Sequence, residues 1–239
     1  MNKKLSIIIP TLNEEIRIVR LLNLLKSQTF QDFEVIVADA NSTDKTREIA
    51  KSYGATIAPG GRTAVGRNNG AKEASTDLLL FLDADVDFDK KFLETGYKEF
   101  EKKSLDMACS YFDIRPLGFK MKMIYLLWNS SKFMRRGTPK PDGEGQCIWM
   151  KKDVFDKVGR FDKDLAIAED TDLIHRTVKA GFKYDVLETY FVPSTRRYDK
   201  IGTFRVFLGS FVGGIAQLFG YKNASDISEK IYGGWGRFK

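Results

Sequence analysis

Cysteine is scarce in this chain of 239 residues, where Cys109 and Cys147 are the only two. Two cysteines give neither a disulfide framework nor a zinc site, so a reducing compartment is the default. No low-complexity tract and no repeat with a period of roughly 20 to 50 residues occurs, which excludes solenoids and propellers. The chain has no Gly-x-x-x-x-Gly-Lys-Ser/Thr, which excludes a P-loop. Its first strand candidate is not followed by Gly-x-Gly-x-x-Gly, which speaks against a dinucleotide fold. The opening apolar run Leu5-Ser6-Ile7-Ile8-Ile9-Pro10 is too short for a signal peptide and lacks a small-residue cleavage site. It reads as a strand.

What is present describes a globular protein. Hydrophobic residues make up 43% and charged residues 30%, enough for a sizeable core. The length suits one large α/β domain. A net charge of +7 favours anionic partners, either nucleotide phosphates or anionic lipid surfaces. Nucleic acid is set aside, because no recognised binding motif accompanies the charge.

The first half alternates short β-type runs with helical patterns, as βαβ units of a mostly parallel sheet do. Strands are expected at Leu5 to Ile9, Phe33 to Ala38, Ala55 to Ala58 and Leu78 to Leu82. Helices are expected at Glu15 to Ser27, Thr43 to Tyr53, Ala64 to Ala74 and Lys90 to Lys103. Ser42 or Thr43 would cap the second helix and Gly54 would end it. Further on, Met107 to Phe112 and Gln146 to Met150 read as strands, and Phe119 to Met134 as an apolar and basic helix. Arg135 to Gly145 carries prolines and glycines and reads as a mobile loop. Asp170 to Ala180 reads as a helix ending at Gly181.

The sharpest local feature is Leu78-Leu79-Leu80-Phe81-Leu82-Asp83-Ala84-Asp85. Carboxylates at i and i+2 stand where a buried strand leaves the sheet, and open α/β sheets bind ligands at that edge. Such a pair can hold a hard divalent cation that bridges a donor's phosphates, although a lone Asp-x-Asp is also an ordinary acidic turn. Polar clusters end the earlier strands too: Pro10-Thr11-Leu12-Asn13-Glu14-Glu15, then Asp39-Ala40-Asn41-Ser42-Thr43-Asp44. Arg62 and Gly66-Arg67-Asn68-Asn69-Gly70 precede the fourth strand. Downstream, Glu169 and Asp170 open a helix, where the dipole favours negative charge, and a carboxylate there also suits a general base.

Together these pieces resemble the large inverting family two of the glycosyltransferases, with the fold called GT-A. The resemblance rests on Ile-Ile-Ile-Pro-Thr-Leu-Asn-Glu-Glu, Val-Ile-Val-Ala-Asp-Ala-Asn-Ser-Thr-Asp, Arg-Asn-Asn-Gly, Leu-Asp-Ala-Asp and Glu-Asp-Thr-Asp-Leu, in family order over residues 4 to about 190. It implies an open, mostly parallel α/β sheet with helices on both faces. It implies a nucleoside-diphosphate sugar donor held by Pro10, Thr11, Asn13, Glu14, Asp39 and Arg67, with Asp39 near the base. Asp83 would approach the ribose or the metal, and Asp85 would be the principal ligand to Mg²⁺ or Mn²⁺, with Ala84 between them. Asp170 would be the base, with Glu169 beside it. Where some relatives carry a histidine after the last core strand, this chain has Pro193-Ser194-Thr195-Arg196-Arg197-Tyr198, and Arg196 or Arg197 would reach the diphosphate instead. The single histidine, His175, lies inside the helix after Asp170 and reads as structural.

Residues 1–200 are expected to form the catalytic domain and 201–239 a C-terminal helical segment. In that segment Phe204, Phe207, Leu208, Phe211, Val212, Ile215, Leu218 and Phe219 recur at helical spacing, beside Arg196, Arg197, Lys200, Arg205 and Lys222. The stretch is a poor spanning helix and fits better lying in a membrane interface. Lys120 to Trp128, followed by Lys132, Arg135 and Arg136, repeats the texture. The expected acceptor is a glycan or a lipid-linked molecule, and the expected location is cytoplasmic, peripheral at the inner face of the cell membrane. Packing on the domain or a dimer contact is the competing reading of both helices. Two other functions remain in view: a sugar-phosphate nucleotidyltransferase, and a non-catalytic nucleotide- or glycan-binding protein of the same fold.

Overall fold

The computed structural model describes residues 3–165 and 168–202. The apolar segment from Phe204 to Phe219 therefore lies outside the described residues, as does the Arg197 side chain. The first half runs β1 (Leu5–Thr11), α1 (Glu15–Lys26), β2 (Phe33–Asp39), α2 (Thr46–Ser52), β3 (Thr56–Pro59), α3 (Thr63–Glu73) and β4 (Leu78–Leu82). There follow β5 (Asp87–Phe88), α4 (Phe92–Lys102), β6 (Met107–Phe112), α5 (Phe119–Arg135) and β7 (Cys147–Lys151). The chain then forms α6 (Lys152–Lys157), α7 (Glu169–Lys179), β8 (Tyr184–Val192) and α8 (Arg196–Ile201).

The strands make one sheet in the order β3-β2-β1-β4-β7-β6-β8-β5. From β3 to β4 the pairs are parallel, and β6 pairs parallel with β8; β7 runs antiparallel to both β4 and β6, and β5 to β8. Strand alternation sorts the core to two faces. Ile7, Ile9, Leu80 and Leu82 pack with Ile18, Leu21 and Leu25 of α1 and with Phe92 and Phe100 of α4. Ile8, Leu79 and Phe81 face the other way, onto Ala64 and Ala71 of α3, Phe155 of α6 and Leu173 and Ile174 of α7. With both faces covered, β4 can be an unbroken apolar run, and each large side chain buried there stabilises the fold by about 1.5–3 kcal/mol. α3 lies close on β1 because Gly70 leaves room: a Cβ there would come within 2.5 Å of Ile8 Cγ2.

Strand direction fixes where a site can form. β1, β2 and β3 end together, with Thr11 beside Asp39 and Asp39 beside Pro59. β4 is parallel to them and delivers Asp83 to the same edge, and β7, antiparallel to β4, enters there from Gly145 and Gln146. The strand order reverses between β1 and β4, which places the crevice over that junction. The expected cap of α2 is corrected here: Asp44 Oδ1 accepts the Thr46 N–H at 2.9 Å, while Ser42 turns to Asp39. Gly54, at φ +80°, does end that helix.

Candidate active site

The β1 and β2 ends form one bonded unit. Asp39 is buried, and its carboxylate accepts from Thr11 Oγ1 at 3.2 Å, Ser42 N at 3.0 Å and Ser42 Oγ at 2.5 Å. Asn13 takes a positive φ of 54°, donates its N–H to Ser42 Oγ and accepts the Thr43 N–H on Oδ1 at 2.8 Å. Short polar side chains tolerate that conformation. Pro10, Thr11, Asn13, Glu14 and Asp39 are thereby brought to one rim of the crevice.

After β4 the alternation continues: Asp83, Asp85 and Asp87 are partly exposed, while Ala84, Val86 and Phe88 are buried. Asp83 and Asp85 therefore share the crevice side, and the Ala84 methyl packs into the core, leaving only its backbone near the site. Among the described residues no group of three or more His, Cys, Asp and Glu side chains gathers to hold a metal. The donor set still fits a hard ion, because Mg²⁺ binds through one or two carboxylates and completes its shell with substrate phosphates and water.

Arg67 organises the centre. Only 2% of its surface is exposed. Its Nη2 donates to Asp83 Oδ1 at 2.8 Å and to the Gly145 carbonyl at 2.7 Å, and its Nη1 donates to Glu169 Oε1 at 3.2 Å. The Phe161 ring covers the guanidinium at 5.3 Å. One cation thus ties the end of β4 to the start of α7. Burial and the neighbouring Asp170 push the Glu169 carboxyl up to about 7, against the pull of Arg67. Asp170 accepts the Gly145 N–H on Oδ2 at 2.5 Å and the Thr171 N–H on Oδ1 at 2.8 Å. These two donors orient the carboxylate and leave lone pairs for an incoming hydroxyl.

Between the Glu14 rim and the turn after β4, Arg196 of α8 donates to Glu14 Oε1 at 2.8 Å and points its Nη2 toward Asp85 Oδ2 at 3.6 Å. Of the two arginines expected near the diphosphate, Arg196 is thus seen to face the carboxylates. His175 is half-buried with Nε2 3.2 Å from the Pro141 carbonyl, and burial lowers its pKa.

The sequence pattern counts Lys132 among the basic residues of a membrane-facing stretch and assigns Glu144 no role; the structure corrects the first and brings both residues here. Lys132 is 1% exposed and forms an ion pair with Glu144. The signal was available in the spacing: Lys132 stands seven residues after Tyr125, and those two are the buried residues of α5.

The chain matches the Glycosyl transferase family 2 profile over residues 6–159. A validoxylamine A glucosyltransferase of Streptomyces hygroscopicus subsp. limoneus is 42% identical over 92 residues, 34% of this chain and 20% of that protein. Glycosyltransferase AglE of Haloferax volcanii is 27% identical over 199 residues, 76% of this chain and 65% of that protein. Among solved structures, mannosyltransferase PcManGT from Pyrobaculum calidifontis, in complex with GDP-Man and Mn²⁺, superposes with a TM-score of 0.72 at 18% identity, covering 92% of this chain and 64% of that one. The chain spans less than two thirds of the length of each of these three. The open sheet with helices on both faces is the GT-A fold expected from the sequence.

Proposed function

The chain belongs to glycosyl transferase family 2, and from that premise we propose that it moves a sugar from a nucleoside-diphosphate donor to an acceptor hydroxyl with inversion at the anomeric carbon. The observation that carries the reading is the Arg67 bridge, which sets Asp83 of the Asp-x-Asp turn and Glu169 beside Asp170 in a single crevice. Pro10, Thr11, Asn13, Glu14 and Asp39 form the nucleoside rim. Asp85, with Asp83, would hold Mg²⁺ or Mn²⁺, which when bound supplies Lewis-acid stabilisation of the departing diphosphate. Arg196 adds a guanidinium on the same side, suited to phosphate oxygens, with Arg197 next to it in α8.

Asp170 takes the acceptor proton as the new bond forms. Its carboxylate is held by Gly145 and Thr171 and stands at the α7 N-terminus, where negative charge is favoured. Fixed placement of acceptor and donor on opposite sides of the anomeric carbon supplies the in-line geometry that inversion needs. The absence of a glycine-rich loop after β1 disfavours the nucleotidyltransferase alternative.

The acceptor is a glycan or a lipid-linked molecule, and the protein works peripherally at the cytoplasmic face of a membrane. The support is α5, where Phe119, Leu127, Phe133 and Met134 are exposed beside Lys120, Lys122 and Arg136. Among the described residues no helix is long and apolar enough to cross a membrane. A melting screen of UDP-, GDP- and dTDP-sugars with and without Mn²⁺ tests the reading, because a donor that binds the native state raises Tm. No shift with any of them removes the donor assignment.

A further inference from the structure

Lys132 is the odd member of α5. A lysine this deeply buried costs several kcal/mol of lost hydration unless it is paired. Its Nζ donates to the Ser110 carbonyl at 2.8 Å, lies 3.7 Å over the Phe112 ring and ion-pairs with the Glu144 carboxylate. Glu144 has few other holds. Among the described residues its Oε1 is buried with no hydrogen-bond partner, and its carbonyl accepts the weak Cys109 S–H at 3.8 Å.

The next residue along the chain is the one that touches the catalytic groups. Gly145 gives its N–H to Asp170 and its carbonyl to Arg67, and a Cβ on it would stand 2.7 Å from Arg67 Nη1. Wherever residue 144 is fixed, residue 145 is fixed with it, together with the base and the guanidinium that bridges Asp83 and Glu169. Buried ion pairs are poor stabilisers compared with apolar packing, so stability alone is a weak account of this one.

We propose that Lys132 and Glu144 are a positioning pair for the catalytic base, anchoring the segment at Gly145 so that Asp170 and Arg67 keep their places. The assignment of a base rests on the glycosyl-transfer reading; the mechanical anchoring does not. Burial pushes the Glu144 carboxyl up to about 7 against the lowering effect of Lys132, and the charges of Asp170 and Asp83 add to the rise, so this pair lies within the field of the crevice.

The test compares the full chain with Lys132→Met and Glu144→Gln. Amide exchange is read at residues 143–146 and, as a control, in β4. Release of nucleoside diphosphate is followed from UDP-glucose and GDP-mannose with Mn²⁺, water serving as the acceptor that takes the sugar and gives its proton to Asp170. Both variants are expected to melt cooperatively and to exchange at least about tenfold faster at 143–146 with β4 unchanged. They should lose on the order of 10- to 100-fold in kcat while KM for the donor stays within about twofold. Should Lys132→Met fail to fold, the nearly isosteric Glu144→Gln carries the same readings. Unchanged exchange at 143–146 overturns the anchoring. Faster exchange with unchanged kcat, or a loss confined to KM, overturns the positioning role. If the wild type itself consumes neither donor, the assignment of Asp170 as base falls on these donors, and the exchange result still decides the anchoring by itself.

Discussion

Arg196 Nη2 lies 3.6 Å from Asp85 Oδ2, so a cation from the last described helix stands beside the carboxylate assigned to the metal. Glu14 holds the same guanidinium at 2.8 Å, which ties the nucleoside rim to the metal rim. A divalent ion held at Asp85 would meet a like charge in Arg196 before a donor arrives. With a diphosphate bound, the same guanidinium would gain phosphate oxygens as partners.

Arg196→Ala should therefore separate two affinities. Binding of Mn²⁺ alone should hold or tighten, since a like charge has been removed. Binding of a nucleoside diphosphate with Mn²⁺ should weaken about tenfold or more, as expected for a charge-assisted contact of about 1.5–3 kcal/mol. Calorimetric titration of each ligand reads the split.

Asp170→Asn keeps an acceptor for the Gly145 N–H and removes the basic group. Donor affinity should be nearly unchanged, and kcat should fall by on the order of 10²-fold or more. Lost donor affinity with a preserved turnover number would make Asp170 a binding residue.

Glu169 gives a pH dependence with a definite sign. Its carboxyl rises from 4.5 to about 7 on folding, chiefly through burial, so the folded state binds the proton more tightly than the unfolded chain. The stability it contributes is complete below the unfolded value and is lost as pH rises through about 7. Glu169→Gln does not titrate, so its stability relative to the wild type should improve as pH rises from 5 to 8. Denaturant midpoints across that range measure the difference.

Lys120 and Lys122 stand at the start of α5 among exposed apolar residues. Replacing both with Glu should weaken co-sedimentation with anionic liposomes, each lysine near such a surface contributing about 1 kcal/mol. Raised salt should weaken the wild type in the same sense. A wild type that ignores anionic liposomes at low salt returns α5 to a protein contact.

Much of this was legible in the residues because the signals were local. The apolar runs of β1, β2 and β4 end in polar clusters, and β6 occupies Met107–Phe112 as read from the sequence. β8 escaped the element reading, since Asp185 and Glu188 interrupt its pattern and its register with β6 shifts at Ser110 and Tyr111. β5 is two residues long and carries no periodicity. Lys132 with Glu144 and Arg196 with Asp85 depend on how separate segments return to one sheet edge, which no local pattern encodes. The polar partner that makes Lys132 tolerable in the interior sits in a loop read only as prolines and glycines.

The central claim is that a nucleoside-diphosphate sugar is consumed at a divalent ion held by Asp85. Its most direct test follows nucleoside-diphosphate release from UDP-, GDP- and dTDP-sugars, with water as stand-in acceptor for the sugar, by the full chain with Mn²⁺, with excess chelator, and in Asp85→Asn. At least one donor should be consumed with Mn²⁺, and both chelation and Asp85→Asn should abolish release while Tm in the absence of ligand is retained. Full turnover in excess chelator, or in Asp85→Asn, would contradict the account.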